Sequence, residues 1–194
     1  MDDARKRSAL QAIGMEAFAG SGLTSIEIPA NVTSIGFGAF NTSSLQTVTF
    51  APDSTLQTIG MGVFRGSGLT SITIPASVIS IDDEAFFAAS NLQNVAFAPD
   101  NALTTIGNNV FMYSGLTSIG IPASITSIGG GAFAFATSLA NIEIPPSVTS
   151  MGDSVFLGWT PAQTITIPWA AGMLPAGWNP YWPGSSTPTI IHVP

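Results

Sequence analysis

Phenylalanine recurs along the chain at an interval that sets the other apolar positions in register. Phe18, Phe40, Phe64, Phe86, Phe111, Phe133 and Phe156 are separated by 22, 24, 22, 25, 22 and 23 residues. An aliphatic residue stands five before each one: Ile13, Ile35, Ile59, Ile81, Ile106, Ile128 and Met151. A further aliphatic residue stands three before that: Leu10, Val32, Leu56, Val78, Leu103, Ile125 and Val148. After each phenylalanine comes the pattern L-x-x-I-x-I, first as Leu23, Ile26 and Ile28, then over residues 45–50, 69–74, 92–97, 116–121 and 139–144. A weaker copy covers Ala162, Ile165 and Ile167. The alternation of apolar and polar residues predicts a short strand with one buried face. Pro29, Pro75, Pro122, Pro145 and Pro168 end five of these strands, because proline has no N–H to continue a ladder.

Two turn variants alternate over most of the chain. One reads I-P-A-(S/N)-(V/I), at residues 28–32, 74–78 and 121–125; the other reads F-A-P-D-x-x-L, at 50–56 and 97–103. The second has two extra residues, which accounts for the longer spacings and predicts a wider turn at one corner. A last short repeat at 144–148 breaks the alternation. One such unit cannot bury its own apolar face, but stacked units can. The expectation is a parallel sheet of about seven strands spaced ~4.8 Å apart. Ile28, Phe50, Ile74, Phe97, Ile121 and Ile144 should lie inside it, one above another. The phenylalanines should form a spine on the far side. Residues 1–9 read as an N-terminal extension, 10–156 as the repeats, and 157–194 as a last strand and an aromatic C-terminal cap.

The string G-L-T-S-I-x-I-P-A-S-V-T-S-I-G-x-x-A-F resembles the BspA-like (Treponema-type) leucine-rich repeat, over about residues 10–156. The ending, F-L-G-W-T-P-A-Q-T-I-T-I-P-W at 156–169 and P-A-G-W-N-P-Y-W at 175–182, is similar to the terminal cap of such proteins. One departure is the missing cysteine after the A-F pair, where Ser21, Ser67 and Ala89 stand; small residues there should pack in the same way. The resemblance implies an α/β-type repeat solenoid, mostly β, that is right-handed and has short helical or irregular convex turns. It also implies a surface or secreted protein of adhesion or interaction, of the kind bacteria and some protists carry.

Composition narrows the function classes. Charged residues make up 8% of the 194, so Ser, Thr, Asn and Gly must supply most of the polar surface. The net charge is −7, and Arg5, Lys6, Arg7 and Arg65 are the only basic side chains besides one histidine. Nucleic-acid and anionic-lipid binding need clustered Lys and Arg, so neither is expected. With no cysteine there is no disulfide or thiolate metal site. No apolar run approaches the roughly 18 residues of a membrane span. Residues 1–8 are charged and no signal-peptide apolar region follows. The chain is therefore expected either not to leave by that route or to be a fragment of a longer exported protein.

The outward strand residues are the first candidates for a partner surface. Ser25, Thr47, Thr49, Ser71, Thr73, Asn94, Ser118 and Asn141 should line the concave side, where small hydroxyl and amide groups hydrogen-bond a partner with little entropy loss. The competing reading is β-compatible polar filler. Glu27, Ala96, Gly120 and Glu143 interrupt the Thr-x-Thr array that an ice-binding face would want. Asp82, Asp83 and Glu84 form the one acidic cluster, but a calcium site needs roughly six to eight oxygen ligands, and the neighbouring repeats offer Gly60, Met61 and Gly107 to Asn109. Asp53 and Asp100 occupy equivalent turns and should bond their own turn's N–H groups. Ser77, Ser124, Ser147 and Asn31 sit at the matching position in other repeats.

Trp159, Trp169, Trp178 and Trp182, with Tyr181, begin where the repeats fail. They either close the end of the core or stack sugars. His192 is the sole histidine, with no motif for zinc or a catalytic triad. The two N-x-(S/T) matches, at Asn31 and Asn41, arise easily in so Ser/Thr-rich a chain. The leading expectation is a non-catalytic adhesion or protein-binding module without cofactor, its partner a protein such as a host matrix or surface protein. End-to-end self-association comes next, because repeats start almost at once at Leu10 and leave an open ladder.

Overall fold

The computed structural model describes residues 10–185 and 187–193; the expected N-terminal extension at 1–9 lies outside the described residues. Among the described residues, sixteen strands alternate between two ladders. In order they are β1 (Ala12–Ile13), β2 (Ser25–Ile28), β3 (Ser34–Ile35), β4 (Thr47–Phe50), β5 (Thr58–Ile59), β6 (Ser71–Ile74), β7 (Ser80–Ile81), β8 (Asn94–Phe97), β9 (Thr105–Ile106), β10 (Ser118–Ile119), β11 (Ser127–Ile128), β12 (Asn141–Glu143), β13 (Ser150–Met151), β14 (Thr164–Ile167), β15 (Gly177–Trp178) and β16 (Thr189–His192). Even-numbered strands form the main sheet, in the order β2-β4-β6-β8-β10 and then β12-β14-β16. Odd-numbered strands form the second ladder, with β1 on β3 and a continuous run from β5 to β15. Every pairing is parallel. The molecule is a mostly-β parallel solenoid of about eight coils.

The second ladder was not anticipated from the sequence. It is built from the aliphatic row that precedes the spine. Each strand is one Ser or Thr (Ala12 and Gly177 at the ends) followed by a buried apolar residue, as in Ser34–Ile35 and Thr58–Ile59.

The third face is made of turns, and the expected short helical turns are absent: no described residue is helical. Residues 15–20, 37–42, 61–66, 83–88, 108–113 and 130–135 run as successive turns. Two positions in each take left-handed backbone, two residues before and two after the spine phenylalanine. Around Phe64 they are Gly62 (φ 62) and Gly66 (φ 59); around Phe86, Glu84 (φ 58) and Ala88 (φ 54); around Phe111, Asn109 (φ 54) and Tyr113 (φ 59). A right-handed helix cannot pass through such residues. The freed N–H groups donate to the next coil instead, as from Phe40 to the Val63 carbonyl at 2.9 Å, Phe64 to Ala85 at 2.8 Å and Phe86 to Val110 at 3.0 Å. All three faces are therefore joined by bonds between coils, which pairs most buried backbone groups, with one break in the main sheet between β10 and β12 and one in the second ladder between β3 and β5.

The core lies between the faces. Leu45, Leu69, Leu92, Leu116 and Leu139 are fully buried, as are the spine residues Phe40, Phe64, Phe86, Phe111, Phe133 and Phe156. Phe18, in the first coil, is only partly buried. The spine rings stack with centroids 5.2–5.8 Å apart. That exceeds the ~4.8 Å between paired strands, as expected of rings stacked with an offset. The small-residue row after the spine does pack inward: Ser43, Ser67, Ala89 and Ser114 are buried, and the Ser43 hydroxyl donates to the Phe40 carbonyl at 2.8 Å. Of the six residues expected to stack inside at the strand ends, Ile28, Ile74 and Ile144 are fully buried, while Phe50, Phe97 and Ile121 are only half-buried.

Opposite outcomes follow for two neighbouring positions. Phe86→Ala should lower stability by about 3–5 kcal/mol, the cost of emptying a fully buried aromatic site. Ala88→Gly should raise it by up to about 1 kcal/mol, because alanine carries a left-handed φ that glycine adopts freely and that Gly20, Gly66 and Gly158 occupy in equivalent turns. Urea midpoints check both; an unchanged Phe86→Ala or a weakened Ala88→Gly contradicts this account.

Candidate functional site

Parallel in-register pairing converts the repeat into rows of like side chains across the main sheet. Ser25 pairs with Thr47, Thr47 with Ser71, Ser71 with Asn94, and Asn94 with Ser118. Beyond a break in the hydrogen-bonded sheet, Asn141 pairs with Thr164 and Thr164 with Thr189. This row is polar throughout. A second row two residues further on is mixed: Glu27 pairs with Thr49, and Thr73 with Ala96. The eight candidate residues Ser25, Thr47, Thr49, Ser71, Thr73, Asn94, Ser118 and Asn141 are all exposed. Neighbours in the row touch, the Asn94 amide donating to the Ser118 hydroxyl at 3.3 Å. Val48, Ile72, Val95 and Ile119, which alternate with the row, point into the core.

The other candidates have partners within the fold. Glu84 forms an ion pair with Arg65, whose guanidinium also lies 4.3 Å from the centre of the Phe87 ring. Asp83 accepts from the Asn108 backbone N–H at 2.7 Å and from its side-chain amide at 3.1 Å. Asp82 accepts from the Ser80 hydroxyl at 3.2 Å. Among the described residues no group of three or more His, Asp or Glu side chains is placed to hold a metal ion.

Asp53 and Asp100 are exposed, and the turn bonds expected of them are made one residue later. The Leu103 N–H donates to Asn101 at 2.8 Å and the Leu56 N–H to Ser54 at 3.4 Å. Position three of an Asx or Ser turn is set by backbone geometry that the F-A-P-D string does not reveal. Ser77 bonds back to the Leu56 carbonyl at 2.8 Å. His192 Nδ1 lies 2.6 Å from the Trp169 carbonyl oxygen.

The tryptophans end the spine. Trp159 and Trp182 meet Phe156 edge-on at 4.8 and 5.8 Å, and Trp178 meets both Trp169 and Trp182 at 5.2 and 5.0 Å. Trp159, Trp178 and Trp182 are buried, while Trp169 is half-buried. The Trp159 indole N–H donates to the Phe133 carbonyl and that of Trp178 to the Val148 carbonyl, each at 3.0 Å. Residues beyond 176 continue all three faces: Trp178 extends the second ladder, Val155 donates to the Trp182 carbonyl at 2.8 Å, and β16 pairs with β14.

The model of the BspA type leucine rich repeat region matches residues 11–103 and 104–172, in six copies. The chain belongs to this family. Among solved structures, this BspA-type chain is similar to a leucine-rich repeat protein from Bacteroides ovatus, with 32% identity and a TM-score of 0.73 over 81% of this chain and 41% of that one. It is also similar to a leucine rich cell surface protein from Faecalibacterium prausnitzii, with 30% identity, a TM-score of 0.52, and coverage of 84% of this chain and 53% of that one. The pneumococcal vaccine antigen PcpA shares the fold at 16% identity and a TM-score of 0.52, over 95% of this chain and 72% of that one. The BspA-type chain thus spans about half the length of the first two. No functionally curated protein matches it.

The indole contacts make a prediction. Trp178→Phe should cost about 1–3 kcal/mol by leaving the Val148 carbonyl unpaired, and Trp178→Ala about 3–5 kcal/mol. Chemical denaturation followed by circular dichroism checks this; two unaltered midpoints would mean that the indole is not part of the core.

Proposed function

We propose that this chain is a non-catalytic binding module and that its partner, a protein, lies on the concave sheet. The observation that carries this reading is the unbroken polar row from Ser25 to Ser118, exposed and in register on five consecutive strands. Uncharged hydroxyl and amide groups at a fixed spacing suit a partner recognised by hydrogen bonds and shape. Adhesion at a cell surface is supported by the Faecalibacterium neighbour, a cell surface protein. A second reading is end-to-end self-association. It is favoured by β2 and β16, each an edge strand of its sheet, and by exposed Leu10 and Met15 in the first coil and Ile191 and Val193 at the other end.

Immobilised extracellular-matrix proteins provide the test of the leading reading. Thr73→Arg and Ser118→Arg each place an unpaired guanidinium where a partner approaches, at positions that point away from the core. Each should reduce binding at least about tenfold and leave the circular dichroism unchanged. Raising the salt should alter affinity only by about threefold or less, because the face carries little charge. Full affinity in both variants contradicts the concave-face reading. Light scattering that shows a stable monomer contradicts the self-association reading.

A further inference from the structure

We draw no further inference here: the strongest candidate, the open end of the core in the first coil, where Leu10 is exposed and Phe18, Leu23 and Ile26 are half-buried, belongs to the self-association reading above, and nothing in the structure shows what covers it.

Discussion

Each coil of this protein leaves its backbone groups and its apolar edge to be satisfied by the next one. A unit of some 23 residues is too short to enclose a core. The structure solves this by making every face a ladder between coils: two parallel sheets and a wall of turns whose N–H groups reach forward to the following coil. The phenylalanine spine is the apolar counterpart of those bonds. Its rings stack from coil to coil along the whole core. Backbone strain accompanies the arrangement, since Glu84, Ala88, Tyr113 and Phe135 take left-handed φ values that glycine would hold more easily.

The apolar rows were legible in the chain because their register repeats seven times. The strand pattern and the spine needed only spacing. What escaped had a weaker local signal. The second ladder consists of two-residue strands, too short for alternation to show. The non-helical turns were marked by glycines two residues on either side of the spine, at Gly38, Gly62 and Gly131 and at Gly20, Gly66 and Gly158, but Glu84, Ala88, Asn109, Tyr113 and Phe135 stand at the same positions in other coils and hide the rule. The partial exposure of Phe50 and Phe97 depends on packing between neighbouring coils, which spacing along one strand does not show.

For the candidate surface, the sequence supplied which residues face outward, and pairing added their order across the sheet. Ser25, Thr47, Ser71, Asn94 and Ser118 become one continuous row only because each strand pairs in register with the next. The same pairing shows where the sheet opens. The buried tryptophans extend the same core: Trp159 and Trp182 meet Phe156 edge-on.

Amide hydrogen exchange on the native protein tests the central claim most directly. If the turn wall is a true ladder between coils, the N–H groups of Phe40, Phe64, Phe86 and Phe111 should be protected as strongly as those of the neighbouring main-sheet strands and should open with them as one unit. Turn amides that exchange orders of magnitude faster than the strand amides would contradict it, and would mean that the coils are joined by their sheets alone.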